Sequence, residues 1–243
     1  MTDLSLVQLP NDFSCYAPTD PSGDFMELNL IYVEVFGDTY KDDVLDVPAD
    51  GVVLDIGANI GLFTVFVKSQ KPDATVLAFE PMPDTLAALH RNIELHELTG
   101  VTVHPIALGA KEDSATFTFF PQAPGNSTRY PAQKNYEIPQ LQTSTTVDVR
   151  VAPLSTVLAA YPEVTTIDLV KIDVEGAEGD VLEGIADEDW AKIRGFVLET
   201  EDIDGQLGRI EATLAGRGYE VTSNHAPIIP KESGLYIVHA VRR

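Results

Sequence analysis

The sequence predicts an α/β fold: a mostly parallel sheet with helices on both faces, an N-terminal extension and an inserted β pair. Three observations carry this. From Val52 onward, strand-like apolar runs alternate with helix-like runs, the pattern of a parallel sheet covered on both sides. The first run, Val52-Val-Leu-Asp55, passes into the glycine turn Gly57-Ala-Asn-Ile-Gly61, and a helix opens near Gly61. That geometry lets backbone N–H groups and a helix N-terminus approach a ligand closely. The second run, Thr75–Phe79, is closed by Glu80, 25 residues after Asp55.

The elements follow in order. Leu62–Lys68 reads as the first helix. A second helix begins after Pro83, with Asp84 as its expected N-cap and Leu86, Leu89 and Ile93 on one face. Val101–Ile106 is the third strand, ending in Ala107-Leu-Gly109. Ser114–Phe120 and Thr145–Val151 alternate polar and apolar residues, so an inserted β pair is expected within residues 114–151. The stretch between them, Pro121–Ser144, is long for a compact domain, and such loops are functional or disordered. Its Arg129, Tyr130, Lys134 and Tyr136 suit a substrate-facing flap or a mobile surface loop. The alternation then resumes: a strand over Ile167–Val174, a helix over Gly176–Ile185, a strand over Phe196–Glu199, a helix over Gln206–Leu214, and closing strands at Tyr219–Thr222 and Leu235–Val241. Residues 1–50 carry no clear βα signal. Their Tyr32, Phe36 and Tyr40, spaced by four, share one face of a short helix, which suits packing or a lid over the site. Residues 51–243 then form the main domain.

Composition narrows the partners. Against 38 Asp and Glu there are 16 Lys and Arg, a net charge of −22. Such a field repels nucleic acid and anionic membranes, so neither is an expected partner. The single Cys15 excludes an internal disulfide and fits a reducing compartment. No basic, apolar leader and no run approaching a membrane span is visible, so the expectation is a soluble, cytoplasmic protein. The sequence leaves the oligomeric state open.

The glycine turn and Glu80 together read as an adenosine-cofactor site, because a carboxylate at the second strand end can accept both ribose hydroxyls. The turn has two glycines with Asn59 between them, so it lacks the G-x-G-x-x-G of dinucleotide sites, and no G-K-[ST] follows. Asp55, an acid opening the turn, suits the ammonium and sulfonium of S-adenosylmethionine better than two phosphates. Two further acids, Asp173 and Glu199, end strands at the side where ligands of parallel sheets collect. Asp173 is placed to accept or orient the proton of a reacting hydroxyl. Glu175 and Glu178 stand in the next helix start, where they serve either chemistry or the helix dipole. Asp173, Glu199 and water could hold Mg²⁺ against a substrate oxygen. No further ligand is identifiable, so no residue is assigned to a metal and Mg²⁺ is not favoured. Of the five histidines, His90 and His96 are expected on a helix surface, and His104 is the one that would be tested as a base.

With these residues in view, the chain resembles the FkbM-type methyltransferase family. Val52–Gly61, Ala78-Phe-Glu-Pro81, Pro105–Gly109 and Lys171-Ile-Asp-Val-Glu-Gly-Ala-Glu178 carry the resemblance, which spans roughly residues 50–220. Glu34–Tyr40, Asp202–Gly205 and Ile237–Arg243 look like the macrolide-tailoring members. The resemblance implies a Rossmann-like class I sheet of seven strands with the last pair antiparallel. It also implies S-adenosylmethionine as donor, S-adenosylhomocysteine as product, and a hydroxyl on a secondary metabolite or sugar as acceptor. By this likeness Asp55, Gly57, Asn59 and Gly61 would wrap the methionine end, and Glu80 with Pro81 the ribose. Ala107 would lie near adenine, and Asp173 near the transferred methyl. Related members often carry His two residues after the acid of the fifth strand, where this chain has Glu201; this leaves the base among Asp173, Glu175 and Glu199. Rival readings are N- or C-methylation with the same donor, a nicotinamide-dependent oxidoreductase, and a cofactor-binding module of a larger synthase.

Overall fold

The computed structural model describes residues 3–19, 25–227 and 229–242. The N-terminal extension is an antiparallel hairpin, β1 (Leu4–Gln8) and β2 (Ser14–Pro18), followed by helices α1 (Met26–Phe36) and α2 (Lys41–Asp46). Alternating β and α elements follow. They are β3 (Val52–Ile56), α3 (Leu62–Gln70), β4 (Thr75–Phe79), α4 (Pro83–Leu95) and β5 (Val101–His104). The insertion holds β6 (Ala107–Leu108), β7 (Asp113–Phe119) and β8 (Thr145–Ala152). The chain continues through α5 (Leu154–Leu158), β9 (Leu169–Ile172), α6 (Glu178–Glu183), α7 (Asp187–Trp190) and β10 (Gly195–Glu201). It closes with α8 (Gln206–Gly216), β11 (Glu220–His225) and β12 (Leu235–Val241).

The main sheet has seven strands in the order β11-β12-β10-β9-β3-β4-β5. Five are parallel, and β12 runs antiparallel between β10 and β11. Alternation along the strands divides the core in two, because successive side chains point to opposite faces. Leu54, Ile56, Val170, Ile172, Phe196 and Leu198 pack with α6, α7 and α8. Val53, Leu169 and Val197 pack with α3 and the N-terminal extension. No helix among the described residues is long and apolar enough to cross a membrane.

Several local expectations shift. The inserted pair is a three-stranded sheet, β6-β8-β7, because Ala107 and Leu108 leave the main sheet to pair with Val151 and Ala152. The third strand accordingly stops at His104, before Pro105. The N-cap of α4 is Met82, and Asp84 lies in the first turn, where it favours the dipole. The strand after the insertion is shorter, Leu169–Ile172, while Ile167 makes only an isolated bridge to Ile193. The next helix starts at Glu178, since Glu175 and Gly176 both adopt positive φ. The aromatic stripe splits: Tyr32 and Phe36 stack within α1 at 4.8 Å, whereas Tyr40 stands at the entry to α2 against Phe63.

Candidate active site

The turn from β3 to α3 is built on close approach. Gly57 has φ +79°, and a Cβ there would lie 1.8 Å from the carbonyl oxygen of Asp173, so no other residue fits without moving the backbone. Gly61, at φ +90°, is the N-cap of α3 and lies against Leu89. Between them Asn59 takes φ +50° and donates its backbone N–H to Glu80 Oε2 at 2.7 Å. Glu80 Oε1 accepts from Met82 N and Thr85 Oγ1, each at 2.8 Å. Burial pushes the Glu80 carboxyl up from its ordinary value, and these donors oppose that shift. Oε2 takes one donor here, leaving it a lone pair for a ligand hydroxyl.

A cavity opens over this turn. Gly57, Asn59, Glu80, Pro81, Ala107, Asp173 and Glu175 line it, together with apolar Ile106, Met82 and Phe117. A glycine cradle, a carboxylate at the second strand end and an apolar wall fit an adenosyl group. The structure thus brings six of the eight residues expected to bind cofactor to one cavity. Asp55 and Gly61 stand outside its lining. Asp55 is 0% exposed, accepts from Thr64 Oγ1 at 2.7 Å, and lies 3.6 Å from Lys171 Nζ. Its Oδ1 has no hydrogen-bond partner, and burial raises its carboxyl.

Lys171 is the residue the sequence reading passed over. Its ammonium donates to the carbonyl oxygen of Gly57 at 2.8 Å and lies 3.3 Å from Asp173 Oδ2. Burial would lower its titration, but Asp173 and Asp55 more than offset this and hold it above its ordinary value. The signal was available: a lysine inside the otherwise apolar strand Leu169–Ile172 requires buried anions beside it.

A second pocket shares Asp173 and Glu175 with the first and adds Glu178, Glu199, Thr200, Glu201 and Gln206. Glu178 is 1% exposed and ties its walls together. It accepts from Gly176 N at 3.0 Å, Gln206 Nε2 at 2.5 Å and Thr200 Oγ1 at 3.3 Å. Burial pushes both Glu175 and Glu178 up to about 7. For Glu175 the Lys134 ammonium opposes that rise through an ion pair. Burial, with Asp173 and Glu34 alongside, pushes the Glu199 carboxyl well above its ordinary value. Asp173 follows β9 directly, and Glu199 lies within β10 just beyond its last pairing with β9, because β10 runs on to Glu201 against β12 instead of ending at Glu199. Among the described residues no three His, Cys, Asp or Glu side chains are grouped to hold a metal ion.

Residues 121–144 are a folded flap. Phe120, Ala123 and Leu141 form its small core. Thr128 Oγ1 donates to the Glu175 carbonyl at 2.6 Å, Tyr130 Oη to Asp180, and Arg129 to Asp113 at 3.0 Å. Tyr136 is exposed and takes no part in the site. From the other side Glu27 of α1 accepts from Asn126 Nδ2 at 2.9 Å and Gly125 N at 3.3 Å. His96 is half-buried, stacked on Phe13 and bonded to the Ser14 carbonyl, so it anchors the hairpin instead of lying on the surface. His104 bonds Tyr161 Oη at 3.0 Å, stacks on Phe79 and lines neither cavity, which removes it as a base.

With this geometry established, the sequence matches the Methyltransferase FkbM domain over residues 55–221. The chain belongs to the FkbM methyltransferase family. Methyltransferase 1 of Beauveria bassiana (strain ARSEF 2860) is 38% identical over 252 residues, which cover 100% of each chain. The 31-O-demethyl-FK506 methyltransferase FkbM of Streptomyces tacrolimicus is 34% identical over 224 residues, 83% of this chain and 85% of its own. The crystal structure of a methyltransferase FkbM from Methylobacillus flagellatus KT superposes with a TM-score of 0.55 at 15% identity. That match covers 79% of this chain and 44% of that one, and at this identity it speaks to the fold alone. The architecture of this FkbM-family chain is the Rossmann-like class I methyltransferase fold, as the resemblance implied.

Proposed function

We propose that this FkbM-family methyltransferase moves a methyl group from S-adenosylmethionine to a hydroxyl of a small secondary metabolite. The observation that carries the reading is that a glycine-floored cavity lined by Glu80 and an acid-lined pocket meet at Asp173 and Glu175. The relative named for 31-O-demethyl-FK506 supports oxygen as the methylated atom and a hydroxylated natural product as the acceptor class. Glu80 and Asn59 would hold the ribose side, the Gly57 cradle the methionine side, and Ala107 with Ile106 the adenine. When bound, S-adenosylmethionine supplies a methyl carbon that an acceptor oxygen attacks in line with the departing thioether, leaving S-adenosylhomocysteine.

The chain's own residues orient the acceptor, take its proton and exclude water. Asp173, held by Lys171, receives a hydrogen bond from the acceptor hydroxyl and fixes its direction. Glu175, at about 7, is tuned to accept the proton at neutral pH. The flap covers both and keeps water out, so alignment supplies most of the acceleration. The net charge supports a small-molecule acceptor over nucleic acid. The test is incubation with S-adenosylmethionine and a panel of hydroxylated metabolites, read by mass spectrometry. O-methyl product that forms more slowly in Asp173→Asn, with donor binding kept, supports the reading. Methylation at nitrogen or carbon contradicts the choice of oxygen.

A further inference from the structure

One segment closes over both cavities. From the flap, Pro124, Gly125 and Ser127 line the cavity beside Glu80, and Gln133 and Lys134 line the acid-lined pocket. Glu175 stands where the two meet, and the flap grips it at two points. Thr128 Oγ1 donates to its carbonyl oxygen at 2.6 Å, and the Lys134 ammonium donates to its Oε2.

Each grip is itself fixed. Thr128 is fully buried and exchanges backbone hydrogen bonds of 2.8 and 3.0 Å with Thr118 of β7, which anchors its hydroxyl to the inserted sheet. The Lys134 side chain is 6% exposed, and an ammonium so buried needs an anion beside it, which Glu175 supplies. Lys134 is also the one cation among the residues that line either cavity.

Glu175 needs such holding. Its φ of +57° is a left-handed conformation unfavourable to a residue with a side chain. A conformation of this kind persists where the surrounding contacts over-determine it. The flap provides those contacts, to the backbone through Thr128 and to the side chain through Lys134. The ion pair occupies Oε2, so Oε1 is the oxygen left to receive a proton.

We propose that Lys134 is a positioning residue for methyl transfer: from the flap it holds the Glu175 carboxyl at the junction of the two cavities, so the base is assembled only while the flap is down. This rests on reading Glu175 as the proton acceptor. It ties exclusion of water and placement of the base to one movement of one segment. Acids face Glu175 from the other sides: Asp173 after β9, Glu178 of α6, Glu199 and Glu201 of β10, and Glu27 of α1. Without the Lys134 ammonium these act on Glu175 unopposed by its paired cation, and it holds its proton more tightly.

The experiment compares Lys134→Met and Lys134→Arg with the wild type in the full chain. Lys134→Met is expected to lower kcat about tenfold, move the rising limb of kcat/KM to higher pH, and leave the S-adenosylhomocysteine Kd within about threefold. Lys134→Arg keeps the cation and is expected to recover most of kcat and the wild-type limb. An unchanged kcat with an unmoved limb in Lys134→Met overturns the proposal, as does a loss that Lys134→Arg does not relieve. Should Lys134→Met fail to fold, Lys134→Gln keeps a donor without the charge, and the same displacement of the limb is expected.

A second arm needs no turnover. Hydrogen–deuterium exchange of the protein without donor or acceptor reads the grip itself. Lys134→Met is expected to speed exchange across residues 121–144 about tenfold, Glu175→Gln to do the same, and the double variant to add nothing further. Additive increases in the double variant overturn the grip. Failure of the methyl-transfer reading would appear instead as an inactive wild type, and the exchange arm would still decide whether Lys134 holds Glu175.

Discussion

Lys171 Nζ lies 3.3 Å from Asp173 Oδ2, and this ammonium joins the glycine turn after β3 to the end of β9. The same ammonium reaches the Gly57 carbonyl and stands 3.6 Å from the buried Asp55. One cation thus compensates two acids and fixes the turn beneath the cavity lined by Glu80 and Ala107.

Removing that cation strands two carboxylates. Lys171→Met is expected to cost about 3–5 kcal/mol of stability, the range for breaking a buried pair from one side, measured by urea unfolding. Adding Asp55→Asn to Lys171→Met should recover part of the loss, because the orphaned charge is then gone. Additive losses from the two substitutions would show that they do not form one unit.

Gly57→Ala tests the cradle. The added methyl would meet the Asp173 carbonyl at 1.8 Å, and φ +79° is itself unfavourable for alanine. The variant is expected to lose S-adenosylhomocysteine binding in calorimetry. Binding at wild-type affinity would show that the turn can move aside without consequence.

Turnover should depend on pH through Glu175. As a base it works ionised, so kcat/KM is expected to rise through about pH 7 and level off above it. Glu175→Gln should lower kcat and abolish that limb. Asp173→Asn should lower kcat while keeping the limb. A profile unchanged in Glu175→Gln transfers the role to another group.

Stability should depend on pH in the opposite sense through Glu27. Burial raises its carboxyl from 4.5 to about 7, so the folded protein holds this proton more tightly than the unfolded chain. The contribution is complete below 4.5 and is lost as pH rises through about 7. Glu27→Gln removes the titration. Unfolding at pH 5 and pH 8 should therefore differ less in the variant than in the wild type.

The parallel core was legible because its signals are local. Apolar runs, the Gly57–Gly61 turn and the acids at Asp55, Glu80, Asp173 and Glu199 each follow from strand period and strand ends. Asp55 was read as facing the cofactor, whereas strand alternation sends it toward α3 and Thr64. What stayed hidden depends on distant contacts. The β1–β2 hairpin is held by Asn92 of α4 and by His96, far along the chain. The flap is fixed by Glu27, Glu175 and Asp180, none of which a loop sequence can announce.

The most direct test of a donor site at Glu80 is calorimetric titration of the wild type and Glu80→Gln with S-adenosylhomocysteine. Glu80 also accepts from Asn59, Met82 and Thr85, so glutamine, which keeps an acceptor oxygen, is preferable to alanine, and circular dichroism should verify its fold. The account predicts tight wild-type binding, weakened in the variant by about 1.5–3 kcal/mol, the worth of hydrogen bonds to a charged group. Equal affinity in a folded Glu80→Gln, or no binding by the wild type, would contradict it.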